Sequence, residues 1–287
     1  MLFLARWLSR RSLRLLHALG ALLGWLAYAL SPSYRRRLRE NAALAGLSVA
    51  ERRAAVGDAG KMMMEVPRLW LRAPERPIAD PVRWDGEALI ARLLDRGKGL
   101  VLLTPHMGSF EVSAQAYAER FGARQPITVL YRPARKRALR ELEETARARP
   151  ALATAPATLA GVRQMLRALK RGETVGLLPD QVPPEGMGVW APFFGRPAYT
   201  MTLAARLVRQ TGAAVAVLWT ERLPRGSGYV VHALPLPAEL PAAADGDDEA
   251  GAAAINRSME AVIRLKPTQY LWGYHRYKSP RGAASAP

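Results

Sequence analysis

The pattern of apolar and polar positions divides the chain into three parts. From Leu15 to Leu30 the residues are apolar apart from His17, with Arg6, Arg10, Arg11 and Arg14 before the run and Arg35, Arg36, Arg37 and Arg39 after it. As a helix the run covers about 24 Å at ~1.5 Å per residue, short of a ~30 Å hydrocarbon core. It therefore predicts either a marginal single membrane span or a helix lying in the membrane interface, with an apolar helix packed on the main domain as the third reading. A cleaved signal peptide does not fit, because S-P-S-Y-R-R-R follows Leu30. From Leu47 to Leu71 the period is again helical. Met62, Met63, Met64, Val66 and Leu69 make its end apolar, and Pro67 predicts a kink or break there. The stretch A-P-E-R-P-I-A-D-P then reads as a linker.

Beyond Trp84 the period switches repeatedly between that of a helix and that of a buried strand. Helices are predicted at Gly86 to Arg96, Ser109 to Phe121, Ala134 to Arg149, Thr158 to Lys170 and Thr200 to Gln210. Strands are predicted at Leu100 to Leu103, Pro126 to Tyr131, Thr174 to Leu178, Ala214 to Thr220 and Gly228 to Leu236. The acids D-G-D-D-E at 245–249 suit the start of a last helix running to Leu265. This alternation predicts an α/β fold, a mixed, largely parallel central sheet flanked by helices, with an N-terminal apolar membrane helix. Ligand sites in such folds gather beyond the carboxyl ends of the strands. The expected division is 1–40 for the membrane-anchoring helix and its basic flank, and 41–287 for the main domain.

Composition narrows the chemistry. The chain has no cysteine, which removes thiolate catalysis, disulfides and cysteine-bound metal. The net charge of +18 calls for an anionic partner. No G-x-G-x-x-G, Walker A, H-E-x-x-H or G-x-S-x-G motif is present.

What remains is T-P-H-M-G-S-F-E, between the Leu100 strand and the helix that follows. With His106 in the loop and Glu111 in the first helical turn, the chain folds back so that the two can meet. The carboxylate then accepts from one imidazole nitrogen and leaves the other free to take a proton. The alternative is a loop histidine beside a helix-capping acid. Ser109 reads as the N-cap.

T-P-H-M-G-S-F-E, V-L-Y-R-P, G-L-L-P-D-Q-V-P followed by G-V-W-A-P-F-F-G-R-P-A-Y-T, and Q-Y-L-W-G-Y-H-R-Y-K occur in that order. Together they resemble the late acyltransferases of lipid A biosynthesis, the lauroyl/myristoyl group, which is similar to the H-x4-D/E glycerolipid acyltransferases. The resemblance implies a glycerolipid-acyltransferase-like fold at the bacterial inner membrane, with the catalytic domain facing the cytoplasm. It implies transfer of a fatty acyl chain from acyl carrier protein to a hydroxyl of a lipid A precursor, with no further cofactor and no metal.

On the matching motifs it places the general base at His106, the orienting carboxylate at Glu111, a substrate-anchoring arginine at Arg132, and further substrate-site residues at Asp180 and Gln181. Anionic membrane lipid is an expected partner and nucleic acid is not. Arg135, Lys136, Arg137 and Arg140 form a candidate anionic-substrate patch. The loop from Val182 to Ala198 is a candidate wall for an acyl tunnel, or ordinary lid packing. Three alternatives stay open: another lipid acceptor, a serine hydrolase using Ser109, and a nucleic-acid-binding protein.

Overall fold

A computed structural model describes residues 2–131, 149–241 and 247–280. Its centre is a seven-stranded sheet in the order β1-β9-β8-β2-β5-β3-β4. The strands are β1 (Val82–Asp85), β2 (Leu100–Leu103), β3 (Ile127–Tyr131), β4 (Leu152–Pro156), β5 (Thr174–Leu177), β8 (Ala214–Arg222) and β9 (Tyr229–Pro235). Pairing is parallel except between β8 and β9. The two central strands, L-V-L-L of β2 and T-V-G-L of β5, are buried along their whole length. Such runs suit a parallel strand covered on both faces.

The covering helices are α5 (Glu87–Asp95), α6 (Phe110–Phe121), α7 (Leu159–Lys170), α8 (Leu203–Thr211) and α9 (Asp248–Leu265). One face of the sheet buries Val101, Leu103, Val175 and Leu177 against Met165, Leu207 and Ile255. The other buries Leu100, Leu102 and Leu218 against Ile90, Val112 and Tyr117. Asp247 caps α9, accepting from Glu249 N at 2.7 Å.

Four helices precede the sheet: α1 (Leu2–Ser9), α2 (Leu13–Leu30), α3 (Pro32–Leu44) and α4 (Val49–Trp70). The proposed division at residue 40 falls inside α3. Pro67 does not break α4, which continues to Trp70. Only one further turn follows it, so little of the hydrogen-bond ladder is at stake.

The mixed sheet with flanking helices matches the fold expected from the sequence. Several elements differ. Strands β1 and β4 lie in stretches given no strand, because each is short and half-exposed. The Val182 to Ala198 loop instead enters an antiparallel hairpin, β6 (Gly188–Phe193) and β7 (Arg196–Met201). That hairpin takes Thr200 and Met201 from the predicted helix, which begins at Leu203. Apart from Arg149, the helix expected at Ala134 to Arg149 lies outside the described residues.

Candidate active site

The site forms where β2 and β5 end side by side. Their register pairs Leu103 with Leu177, and Thr104 N–H donates to Leu177 O at 3.0 Å. His106 and Asp180 follow at the same offset on parallel neighbours, so they meet across 74 residues of sequence. The backbone N–H of His106 donates to Asp180 Oδ2 at 2.9 Å, and the imidazole Nδ1 lies 2.7 Å from Asp180 Oδ1.

Asp180 is only 1% exposed. Burial pushes its carboxyl pKa up, but the His106 imidazole, the His106 backbone N–H and buried Arg276 outweigh this and hold it below the usual carboxylate range. An ionised carboxylate only accepts hydrogen bonds, so Nδ1 donates and Nε2 is left as the basic nitrogen. The Asp180 charge also helps push the buried Tyr270 hydroxyl well above its ordinary value, after burial itself.

Glu111 was the carboxylate expected to orient the imidazole; the one at Nδ1 is that of Asp180. Glu111 stands in the first turn of α6, where Trp70 Nε1 donates to its Oε2 at 3.1 Å. It lines the same cavity as His106. Ser109 occupies the position before α6, but its hydroxyl makes no cap hydrogen bond with the helix. At φ −104° and ψ 70° its backbone is away from the extended conformation usual for a cap. Its side chain is buried and outside the cavity lining, so a serine nucleophile is not presented there.

The loop carrying His106 is held on every side. Gly108 N–H donates to Gln269 O and Ser109 N–H to Thr220 O, both at 3.0 Å, while His106 O accepts from Leu271 N at 3.1 Å. Gly108 has φ +58°, and a Cβ there would stand 1.8 Å from Thr220 O, so only glycine fits. The backbone N–H groups of His106 to Ser109 are thus all committed. The next first-turn donor of α6 is the Phe110 N–H.

A buried ionic network lies behind the loop. Arg222 donates from Nη2 to Gly108 O at 2.8 Å and from Nε to Glu65 Oε1 at 2.7 Å, and His17 Nε2 lies 2.6 Å from the same Glu65 oxygen. Gln269 braces it by accepting from Arg222 N and donating to Arg222 O. The sequence reading missed all three of Glu65, Arg222 and Gln269. A signal existed for Glu65, the single acid in the apolar run M-M-M-E-V. From the aromatic tail motif Gln269 and Leu271 brace the loop, whereas Arg276 donates to Tyr199 O and Tyr277 to Phe193 O in the hairpin.

His106, Glu111 and Gln181 share a cavity of about 360 Å³. Most of its remaining wall is apolar, with Phe110, Val129, Leu152, Val162, Leu178 and Met201 beside the polar Gln115 and Thr158. From the proposed tunnel loop, Val182, Pro183, Pro184 and Met187 line it, whereas Phe193 and Phe194 are buried in the core. Tyr131, the last described residue of β3, also lines it. Arg132 and the patch Arg135, Lys136, Arg137 and Arg140 lie outside the described residues. Among the described residues no His, Asp and Glu group is arranged to hold a metal.

A histidine hydrogen-bonded to a buried carboxylate thus stands at a largely apolar cavity beyond the largely parallel sheet, an arrangement capable of base chemistry beside an apolar ligand. The family of bacterial lipid A biosynthesis acyltransferases matches residues 2–279, and the chain belongs to it. It is similar to the lipid A biosynthesis lauroyltransferase of Escherichia coli K12, at 29% identity over 94% of this chain and 88% of that protein. The palmitoleoyltransferase of the same strain is 26% identical over 79% of this chain and 71% of its own. For the myristoyltransferase the figures are 25%, 88% and 77%. The protein is an acyltransferase.

Proposed function

We propose that this enzyme adds a fatty acyl chain, carried as a thioester on acyl carrier protein, to a hydroxyl of a lipid A precursor at the cytoplasmic face of the bacterial inner membrane. The observation that carries this reading is the His106–Asp180 pair at 2.7 Å beside an apolar cavity of about 360 Å³. The relatives named for lauroyl, palmitoleoyl and myristoyl transfer support the acceptor class and the use of a long acyl group.

The acyl chain lies in the cavity with its thioester near His106. Nε2 takes the proton of the acceptor hydroxyl as its oxygen attacks the thioester carbonyl, and Asp180 stabilises the imidazolium that forms. The N–H group of Phe110, at the positive end of α6, serves the developing oxyanion. When the C–S bond breaks, the proton passes to the carrier thiolate, leaving an ester and a free thiol with no acyl-enzyme. Glu111 adds a second carboxylate at the cavity wall, held by the Trp70 indole, and Gln181 provides a neutral hydrogen-bonding group there. Arg132, directly after Tyr131, and the arginines beyond it bind the phosphates of the acceptor or the acidic carrier. Anionic lipid holds the N-terminal helices.

Purified protein in detergent, given acyl carrier protein charged with a fatty acid and a lipid A precursor, should release carrier thiol and acylated lipid in equal amounts. Release of free fatty acid without acceptor would instead point to a hydrolase.

A further inference from the structure

The membrane helix is clamped to the catalytic domain along most of its length. Gly20 and Gly24 of α2 lie against Val56, Gly60 and Lys61 of α4, in backbone contact. A Cβ on Gly60 would sit 1.9 Å from Gly20 O, and one on Gly24 2.2 Å from Val56 O. The pairing runs antiparallel: further along, His17 Nε2 meets Glu65 Oε1 at 2.6 Å, and Arg68 Nη1 donates to Arg11 O at 2.8 Å. The turn between β8 and β9 closes on the same end, where a Cβ on Gly226 would stand 2.4 Å from Arg14 N.

The opposite face of the helices is open and apolar. Phe3 and Trp7 on α1, with Leu22, Leu23, Leu26 and Leu30 on α2, are 40–84% exposed. Arg6, Arg10, Arg14, Arg36 and Arg39, also exposed, flank that surface.

We infer that α2 does not cross the bilayer but lies along one leaflet, with its leucine face in the acyl region and the flanking arginines on anionic headgroups. This rests on the membrane-bound reading above and deepens it. To span, α2 would have to carry with it the stretch of α4 from Val56 to Arg68, because the two backbones touch. That stretch includes Asp58, Lys61, Glu65 and Arg68, and charged side chains are strongly disfavoured at the centre of a bilayer. At 18 residues, α2 is also only about 27 Å long against a core of ~30 Å. An in-plane helix needs neither extra length nor buried charge. The glycine contacts and the Glu65 network then fix the catalytic loop relative to the leaflet that holds the lipid acceptor.

The cysteine-free chain permits a clean test. Arg10→Cys and Ser33→Cys, made separately in the full-length protein, place a thiol at either end of α2. Each is probed with a membrane-impermeant maleimide in inside-out inner-membrane vesicles and in spheroplasts, with detergent-opened samples as the total. Labelling of both from the same face is the expected result. Labelling of one from each face overturns the in-plane helix while leaving membrane binding intact. Unmodified protein that fractionates as a soluble dimer overturns both, since a second copy would then cover the apolar face.

Discussion

Asp180 brings a full negative charge into a position 1% exposed, and the cost is met by the His106 backbone N–H, the His106 ring and Arg276. Replacing it with Asn removes the charge that polarises the imidazole and fixes its tautomer. Asp180→Asn should lower kcat by roughly 10² to 10⁴ in a variant whose circular dichroism is unchanged. Because His106 and Asp180 act as one unit, the double variant His106→Ala/Asp180→Asn should be no slower than His106→Ala alone. Losses that multiply would give Asp180 a separate role. Both residues were legible in the sequence, yet the carboxylate five positions from His106 was read as its partner. Distance along the chain was the only distance available, whereas the register of β2 on β5 is decided by strand pairing.

The α2–α4 contact makes a sharp prediction among the helices. Gly60→Ala places a methyl group 1.9 Å from Gly20 O, where both neighbours are backbone and neither can yield without separating the helices. A loss of about 1–3 kcal/mol in unfolding free energy is expected, as for an overpacked core. Gly57 on the same helix is the control: its added Cβ would meet only Ala21, in ordinary contact with its Cβ at 3.5 Å and its Cα at 3.8 Å. Gly57→Ala should be neutral or stabilising by up to ~1 kcal/mol through helix propensity. Equal effects of the two in urea titrations would contradict the close packing. The apolar period announced α2 and α4 but not their contact, which depends on which glycines face each other. The β6–β7 hairpin was illegible for another reason: prolines and glycines at loop density read as a loop until its two halves pair.

For the molecule as a whole, two buried carboxylates tie stability to pH. Burial raises the Glu65 pKa, but Arg222 and His17 outweigh it, so Glu65, like Asp180, is held below its ordinary value. In the unfolded chain such groups titrate near pH ~4. The unfolded state therefore binds more protons as pH falls, so the stabilisation is fully present above ~4–5 and is lost as pH drops through the lower folded values. Glu65→Gln should cost about 3–5 kcal/mol at pH 7 by leaving Arg222 unpaired, and should flatten the acid limb of the stability curve. An unchanged acid limb would contradict this. At this scale the sheet class, the basic charge and the apolar N-terminus were readable in the sequence. Packing of that terminus on the domain was only its third reading, because backbone contact between helices leaves no trace in hydropathy. The central claim, acyl transfer to lipid A by a His106-based site, is tested most directly by mass spectrometry of lipid A from a bacterial strain deleted for this gene. The strain would carry either the wild-type protein or His106→Ala at equal abundance. The account predicts lipid A heavier by one acyl chain with the wild type and unshifted with the variant; the same added chain with both, or with neither, would contradict it.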